Sequence, residues 1–536
     1  MEPTRDAGPL ARARAELAAA SGKRRLDVIL SAPDPEGLLR ALPAEEVYFL
    51  VRDLGLSDAA ELVQLASPEQ FRAFLDLDAW RGAAPDPDRV LPWLRAARAG
   101  ALRSDAAAAR FREQLGALDP ELVSLVLLDA LRVHDLQEDP DPELESDRFL
   151  RTPEGRYAVE FRVEGADYAA ARALLDDLYA RDPLEAARQL ESVRWDLRSE
   201  LEESALRWRS GRLADLGYPD LEEALSWYAR PPAEPAAEAG LPDRPPGFLL
   251  AQFRRGSLLD RAAARLGPEA ADRFEQQLLT AANAVLVADA VDPSDLEAVR
   301  RSVESARAML ELGLEAAAGS DEGRAAEALA ATPLKRLFQQ GFGRVLELRW
   351  RAERLLGSGG GTRQAPVLDP PLGEALSALA RRRPLYFPGL EVAREEWGGP
   401  AAAAGAPRPF LASAELSRTA AALGEVEALL ELGRRLGLLP PPPGAPAGSR
   451  LLALYLTALA NERLGRAFSP EPLPPSELPA AARALAQLDD PRLGSAGEAG
   501  ALLASMARRR AEELQLVRDG AAPGPGHLTA LLLDIR

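Results

Sequence analysis

The chain has no cysteine, only two histidines (His134 and His527) and only two lysines (Lys23 and Lys335) in 536 residues. Without thiols there is no disulfide framework, no cysteine-ligated zinc or iron–sulfur site and no thiol nucleophile. The two histidines lie far apart, and neither sits in an H-E-x-x-H or Glu-x-x-His pattern, which leaves no basis for Ser-His-Asp catalysis or a two-histidine metal site. Lys23 lacks the upstream glycine of a phosphate-binding loop, and Lys335 follows Leu334, so P-loop and kinase chemistry are excluded. Aromatics make up only 5% of the residues, too few for the sugar platforms of a paired-carboxylate glycosidase. No catalytic, cofactor-binding or metal-binding residue is assigned, and the expectation is a protein that is not an enzyme.

Basic charge is also in deficit. With 65 basic and 83 acidic side chains the net charge is −18, which argues against nucleic acid as the main partner. No stretch approaches the ~18 apolar residues of a membrane span. Leu122–Leu131 is broken by Asp129, and Leu278–Ala290 by Asn283 and Asp289. The first residues alternate charges and lack an apolar core segment, so a soluble cytoplasmic protein is expected.

What is abundant is alanine, leucine and arginine, and apolar residues reach 47%. This points to a predominantly all-α chain. Arginine is the default cation here, so an arginine cluster is weak evidence of a site. Apolar pairs recur at Leu39/Leu42, Val51/Leu54, Leu62/Leu65 and Phe74/Leu77, each of the first three followed by a helix-starting segment. Ser67-Pro68-Glu69-Gln70 is the best formed of these, with Ser67 as N-cap, proline at the first helical position and Gln70 closing a capping box. Short helices of two or three turns cannot bury a stripe alone and should stack on one another. A further helix is expected near Leu122–Val133, started by Asp119-Pro120-Glu121 and ending near His134. One β-hairpin is expected near 148–164. Tyr157, Val159, Phe161 and Val163 alternate with polar or small residues, and Phe149–Thr152 can pair with them across Pro153-Glu154-Gly155.

The resulting division is a tail or helix over 1–22, a helical repeat domain over 23–134, and an acidic linker over 135–147. A hairpin with helices follows over 148–230, then a proline-rich connector over 231–248 and a helical bundle over 249–356. A glycine-rich linker over 357–371 leads to a C-terminal helical region over 372–536. The acidic stretch reads as a solvated linker; a weak divalent-cation site is the sharper alternative, without the spacing of an EF-hand loop.

Two segments carry polar groups on otherwise apolar helices. In the first, Arg207, Trp208, Arg209, Arg212 and Asp215 are either an anion or peptide grip or an interdomain strut locked by its charges. In the second, Asn283 and Asp289 lie on a helix that is apolar nearly all round. Burial would require hydrogen-bond partners for both, and an arginine of the first segment is the expected partner of Asp289.

The Glu202–Gly217 segment with Tyr218–Leu225 resembles a signature block of an uncharacterised family of Gram-negative bacteria, a domain of unknown function. Asp76–Trp80, Asn283–Asp289, Leu312–Glu315 and Leu337–Phe342 resemble further blocks of it. That family brings no catalytic residue with it. The segment Gly37–Trp80 is also similar to the helical cytosolic N-domain of bacterial magnesium transporters, and more distantly to flagellar motor-switch repeats. This resemblance implies a solenoid used for docking or regulation, with magnesium sensing as a remote extra. The functional expectation is a non-enzymatic cytoplasmic scaffold or adaptor that binds a partner protein through a concave helical surface. The alternative is a small-molecule or anion sensor, or an enzyme, with an Arg/Asp/Asn pocket around Trp208 and Asn283.

Overall fold

A computed structural model describes residues 22–101, 103–229, 256–357, 368–442, 445–446, 448–518 and 530–534. The expected tail over 1–22, except its last residue, and the whole proline-rich connector over 231–248 lie outside the described residues, as do 358–367 of the glycine-rich linker. The fold is predominantly α, with two small antiparallel sheets among the described residues. The chain forms two compact units, one running to Arg307 with Leu329–Lys335, the other Ala308–Ala328 with Arg336–Arg536.

The first unit begins with short helices: α1 (Gly22–Leu30), α2 (Pro35–Arg40), α3 (Ala44–Leu54), α4 (Ala60–Leu65) and α5 (Pro68–Asp78). The capping box at the start of α5 is present in both directions, Gln70 N–H donating to the Ser67 hydroxyl and Ser67 N–H to the Gln70 carboxamide. A two-residue ladder, β1 (Trp80–Arg81) with β2 (Ala84–Pro85), leads to α6 (Pro87–Arg98) and α7 (Asp105–Gly116). Each short helix packs on the next but one, α3 on α5, α4 on α6 and α5 on α7. Phe49, Phe71, Phe74 and Trp93 are thereby removed from solvent, as amphipathic helices too short to stand alone require.

The helix expected to reach Val133 is shorter. Here α8 (Pro120–Ala130) stops at Ala130, and β3 (Leu131–Asp135) follows without a loop. His134 therefore lies in a strand, not at a helix end. The alternation of Leu131 and Val133 with Arg132 and His134 is a period-two signal hidden behind the helical one. In the sheet, β5 (Tyr157–Phe161) is central, flanked by β3 and by β4 (Phe149–Arg151). The hairpin thus supplies two strands of a three-stranded sheet, and β5 ends at Phe161, short of Val163. Every residue of β5 is buried, so the face read as polar is covered as well. Glu160 accepts from Ser146 N–H, with His134 Nε2 at 3.5 Å.

The acidic stretch runs between β3 and β4 of this one sheet. Asp135 is bound by Arg156 and Arg194, each at 3.2 Å, and Arg194 also reaches Glu138. Among the described residues, no group of three or more His, Cys, Asp or Glu side chains is placed to hold a metal ion.

Three helices complete this part of the unit: α9 (Gly165–Arg181), α10 (Pro183–Trp195) and α11 (Arg198–Asp215). Both α10 and α11 pack on α8. Then come α12 (Leu221–Ser226), α13 (Leu258–Ala263), α14 (Pro268–Ala288) and α15 (Leu296–Ala318), the last of which contains the unit boundary. Helices α16 (Glu322–Ala331) and α17 (Leu334–Gly357) follow. The second unit closes its core around Leu376, Leu423, Val426, Tyr455, Ala481 and Leu503, carried on α18 (Leu372–Leu379), α19 (Ser413–Arg435), α20 (Leu451–Arg463), α21 (Leu478–Ala484) and α22 (Gly497–Arg518). No described helix is long and apolar enough to cross a membrane.

Candidate functional site

Helix α11 buries a narrow stripe, Leu201 and Ala205. One and two turns further along that face, the helical repeat brings round Arg209 and Arg212. Both point inward. Arg212 donates from Nε and Nη2 to the two oxygens of Asp76, at 2.7 and 2.9 Å, and from Nη1 and Nη2 to those of Asp119, at 3.0 and 2.6 Å. Four of its five N–H groups are engaged. Asp76 ends the apolar face of α5 and is 1% exposed. Asp119 precedes α8 at the N-cap position, yet its side chain caps nothing and serves Arg212 instead. One guanidinium therefore ties α5, α8 and α11 together.

Arg209 donates from Nε to the Asp76 carbonyl oxygen at 2.7 Å, and its guanidinium lies 4.8 Å from the centre of the Trp80 ring. Burial lowers its pKa, against the pull of Asp76. Burial likewise holds the Asp76 carboxyl above its ordinary value despite Arg212. Arg212 itself is raised, because the two carboxylates outweigh its own burial. The two partners shift in the same direction because Asp76 is the more deeply desolvated of them.

Two residues on, Asp78 faces the aromatic core. It accepts from the Trp93 indole N–H, from Arg52 at 3.4 Å and from the Tyr48 hydroxyl at 3.5 Å. Tyr48 stacks on Trp93 with centroids 6.0 Å apart. Beside Arg209 lie two buried polar atoms without a hydrogen-bond partner among the described residues, the Tyr218 hydroxyl and the Trp80 indole N–H; the Asn283 side-chain oxygen is likewise buried without one. Glu45, at the start of α3, is also buried, and desolvation pushes its carboxyl from 4.5 up to about 7.

The residues singled out in the sequence separate into three groups. Arg209 and Arg212 form the inward clamp. Arg207, Trp208 and Asp215 stay on the exposed side of α11. Asn283 is fully buried on α14 and donates to the Leu216 carbonyl at a long 3.5 Å, so it does meet the end of the arginine-rich segment. Asp289, half-buried at the C-cap of α14, accepts from the Tyr228 hydroxyl at 3.3 Å. The clamping guanidiniums go to Asp76 and Asp119. Sequence reasoning missed Asp76, Asp119, Glu45 and Tyr218 as members of this cluster. The available signal was an Asp-x-Asp pair on an apolar helix, since such carboxylates need partners.

Chemically, the cluster is a desolvated ion clamp. Neither the curated proteins nor the solved structures yield a match to this chain. A family model does match residues 3–521, nearly the whole length, and includes the clamp and both helical units. The chain belongs to that family, a family of unknown function designated DUF6178.

Proposed function

We propose that this protein is a non-enzymatic cytoplasmic scaffold that docks a partner protein on the outer side of α10 and α11. The observation that carries the reading is a set of large apolar side chains left in solvent: Leu184 at 72%, Trp195 at 67%, Leu197 at 62% and Trp208 at 55% exposure. Leu184 and Trp195 are eleven residues apart on α10, and Leu197, the N-cap residue of α11, lies eleven residues before Trp208. Three helical turns span 10.8 residues, so the members of each pair share one flank about 16 Å apart. Single exposed apolar residues are ordinary, but rows of them with two tryptophans match the anchors of protein interfaces.

The clamp supports the same reading. Arg209 and Arg212 hold α11 rigidly on α5 and α8, which presents the row without ordering cost on binding. The stacked short helices α1–α5 support a docking role on their own packing, as stacked helical repeats do; no match among curated proteins or solved structures ties this segment to a magnesium-transporter N-domain. The anion-sensor reading has less support, because the two best-placed guanidiniums already donate inward.

The test is affinity capture of the tagged full chain from its host at endogenous expression, beside a variant carrying Trp195→Glu and Trp208→Glu. A partner recovered in stoichiometric amount with the parent and lost with the variant, at equal melting temperature, supports the proposal. Equal recovery by both, or no partner with either, overturns it.

A further inference from the structure

The row of exposed leucines and tryptophans on α10 and α11 has a charged border, and its unpaired charge is almost all of one sign. The loop between β3 and β4 starts beside the row. Arg194 of α10 holds Glu138 at 2.7 Å, and the same guanidinium lies 5.0 Å from the centre of the Trp195 ring. The next residue, Asp139, donates its N–H to the Asp135 carbonyl at 2.9 Å and accepts from Asp141 N–H at 3.3 Å, which keeps the loop folded at that place. The carboxylates of Asp139, Asp141 and Glu143 are exposed and have no ion-pair partner among the described residues. On α11 the same holds for Glu200, Glu203 and Asp215. Asp215 is the last residue of its helix, where the macrodipole disfavours a negative charge.

The cations nearby do not balance these charges. Arg188 is paired with Glu185, and Arg198 with Asp129 and Glu202. Of the exposed arginines on the two helices, only Arg207 lacks a carboxylate partner among the described residues. The border thus sets six unpaired carboxylates against one unpaired cation.

That imbalance selects the occupant. Nucleic acid and an anionic membrane surface are repelled. A second copy of this chain, docked by the same face about a two-fold axis, would set the carboxylates against themselves. A cationic partner gains from the carboxylates and also from the indole faces of Trp195 and Trp208, which attract cations. The spacing of about 16 Å within each pair of anchors is three turns of a helix, so a partner helix can match it with its own apolar stripe.

We propose that the partner docked on α10 and α11 presents a basic amphipathic helix. Its apolar stripe lies on Trp195, Leu197 and Trp208, and its lysines or arginines meet the flanking carboxylates. This inference rests on the docking role proposed above and supplies the chemistry of the partner.

Fluorescence anisotropy of labelled synthetic peptides titrated with the full chain tests it. One peptide, of about 18 residues, is an amphipathic helix with leucine on one stripe and lysine on the other. Its counterpart has glutamate for each lysine. The lysine peptide should saturate at one site, and the glutamate peptide should not bind. Raising the salt from about 0.05 to about 0.3 M should weaken the lysine peptide about tenfold. Asp139→Asn, Asp141→Asn and Glu143→Gln together remove only exposed, unpaired charges. That variant should keep its melting temperature and bind the lysine peptide about tenfold more weakly. The control is Asp27→Asn, Asp58→Asn and Glu61→Gln together, the same change in net charge at exposed positions of α1 and around the start of α4. It should leave the affinity nearly unchanged. The inference is overturned if the lysine peptide does not bind, if the glutamate peptide binds as well, or if the loop variant matches the control. Trp195→Glu with Trp208→Glu separates this failure from that of the docking role. Binding lost in that variant but kept in the loop variant retains the surface and rejects the basic partner, whereas binding kept in it rejects the surface.

Discussion

Gly313 of α15 meets the backbone carbonyl of Leu337 on α17 so closely that a Cβ at position 313 would overlap the carbonyl oxygen. The relationship is reciprocal, since a Cβ at Gly341 of α17 would overlap the Met309 carbonyl oxygen of α15. The two helices touch backbone to backbone at this crossing, with Leu310, Leu312, Leu314 and Phe338 buried around it. Gly313→Ala and Gly341→Ala must each push the helices apart, and each should lower stability by about 1–3 kcal/mol. Gly343→Ala is the control. It lies two residues on, in the same helix, and an alanine methyl there would meet nothing within 4 Å, so the variant should gain up to about 1 kcal/mol from helix propensity. Urea denaturation of the three variants decides: if Gly313→Ala behaves like Gly343→Ala, the close crossing is wrong.

That crossing also shows what could be read in advance. Leu312–Glu315 and Leu337–Phe342 stand out in the sequence only by resemblance, with no physical reason for the glycine in each; the contact at Gly313 and Gly341 supplies one. Local signals were legible where the physics is local, as in the Ser67 capping box and the pairing of β4 with β5. The strand β3 was obscured because it continues directly from an apolar helix, with no turn residue between them. The clamp could not be read at all. Asp76 and Arg212 are 136 residues apart, and in a chain where arginine is the common cation no single one announces its partner.

The clamp gives the next prediction. Arg212→Ala leaves the Asp76 carboxylate, 1% exposed, without its counter-ion, and should cost about 3–5 kcal/mol. Arg212→Lys should recover only part of this, since an ammonium cannot bridge two carboxylates in paired geometry. Arg209→Ala removes one bond to a carbonyl oxygen and the contact with Trp80, and should cost less than Arg212→Ala. Thermal and urea unfolding read all three. An Arg212→Ala protein as stable as the parent would show that α11 is held by its apolar stripe alone.

Glu45 makes stability depend on pH in a calculable direction. Its carboxyl titrates near 4.5 when unfolded and, raised by burial, near 7 when folded, its own backbone hydrogen bond offsetting part of the shift. Between those values the folded state holds a proton that the unfolded state has lost, so stability falls as pH rises through the window. The full effect of this group is a loss of about 3 kcal/mol by pH 8. Glu45→Gln, which is neutral throughout, should therefore match the parent near pH 4.5 and exceed its stability at pH 8. Asp369 in the second unit follows the same sign over a lower window, from 3.8 to about 6, because burial again outweighs its bond to Leu452 N–H. Asp369→Asn should flatten that part of the curve. Unfolding measured across this range tests both, and a Glu45→Gln curve parallel to the parent's would show that the folded carboxyl is solvated after all.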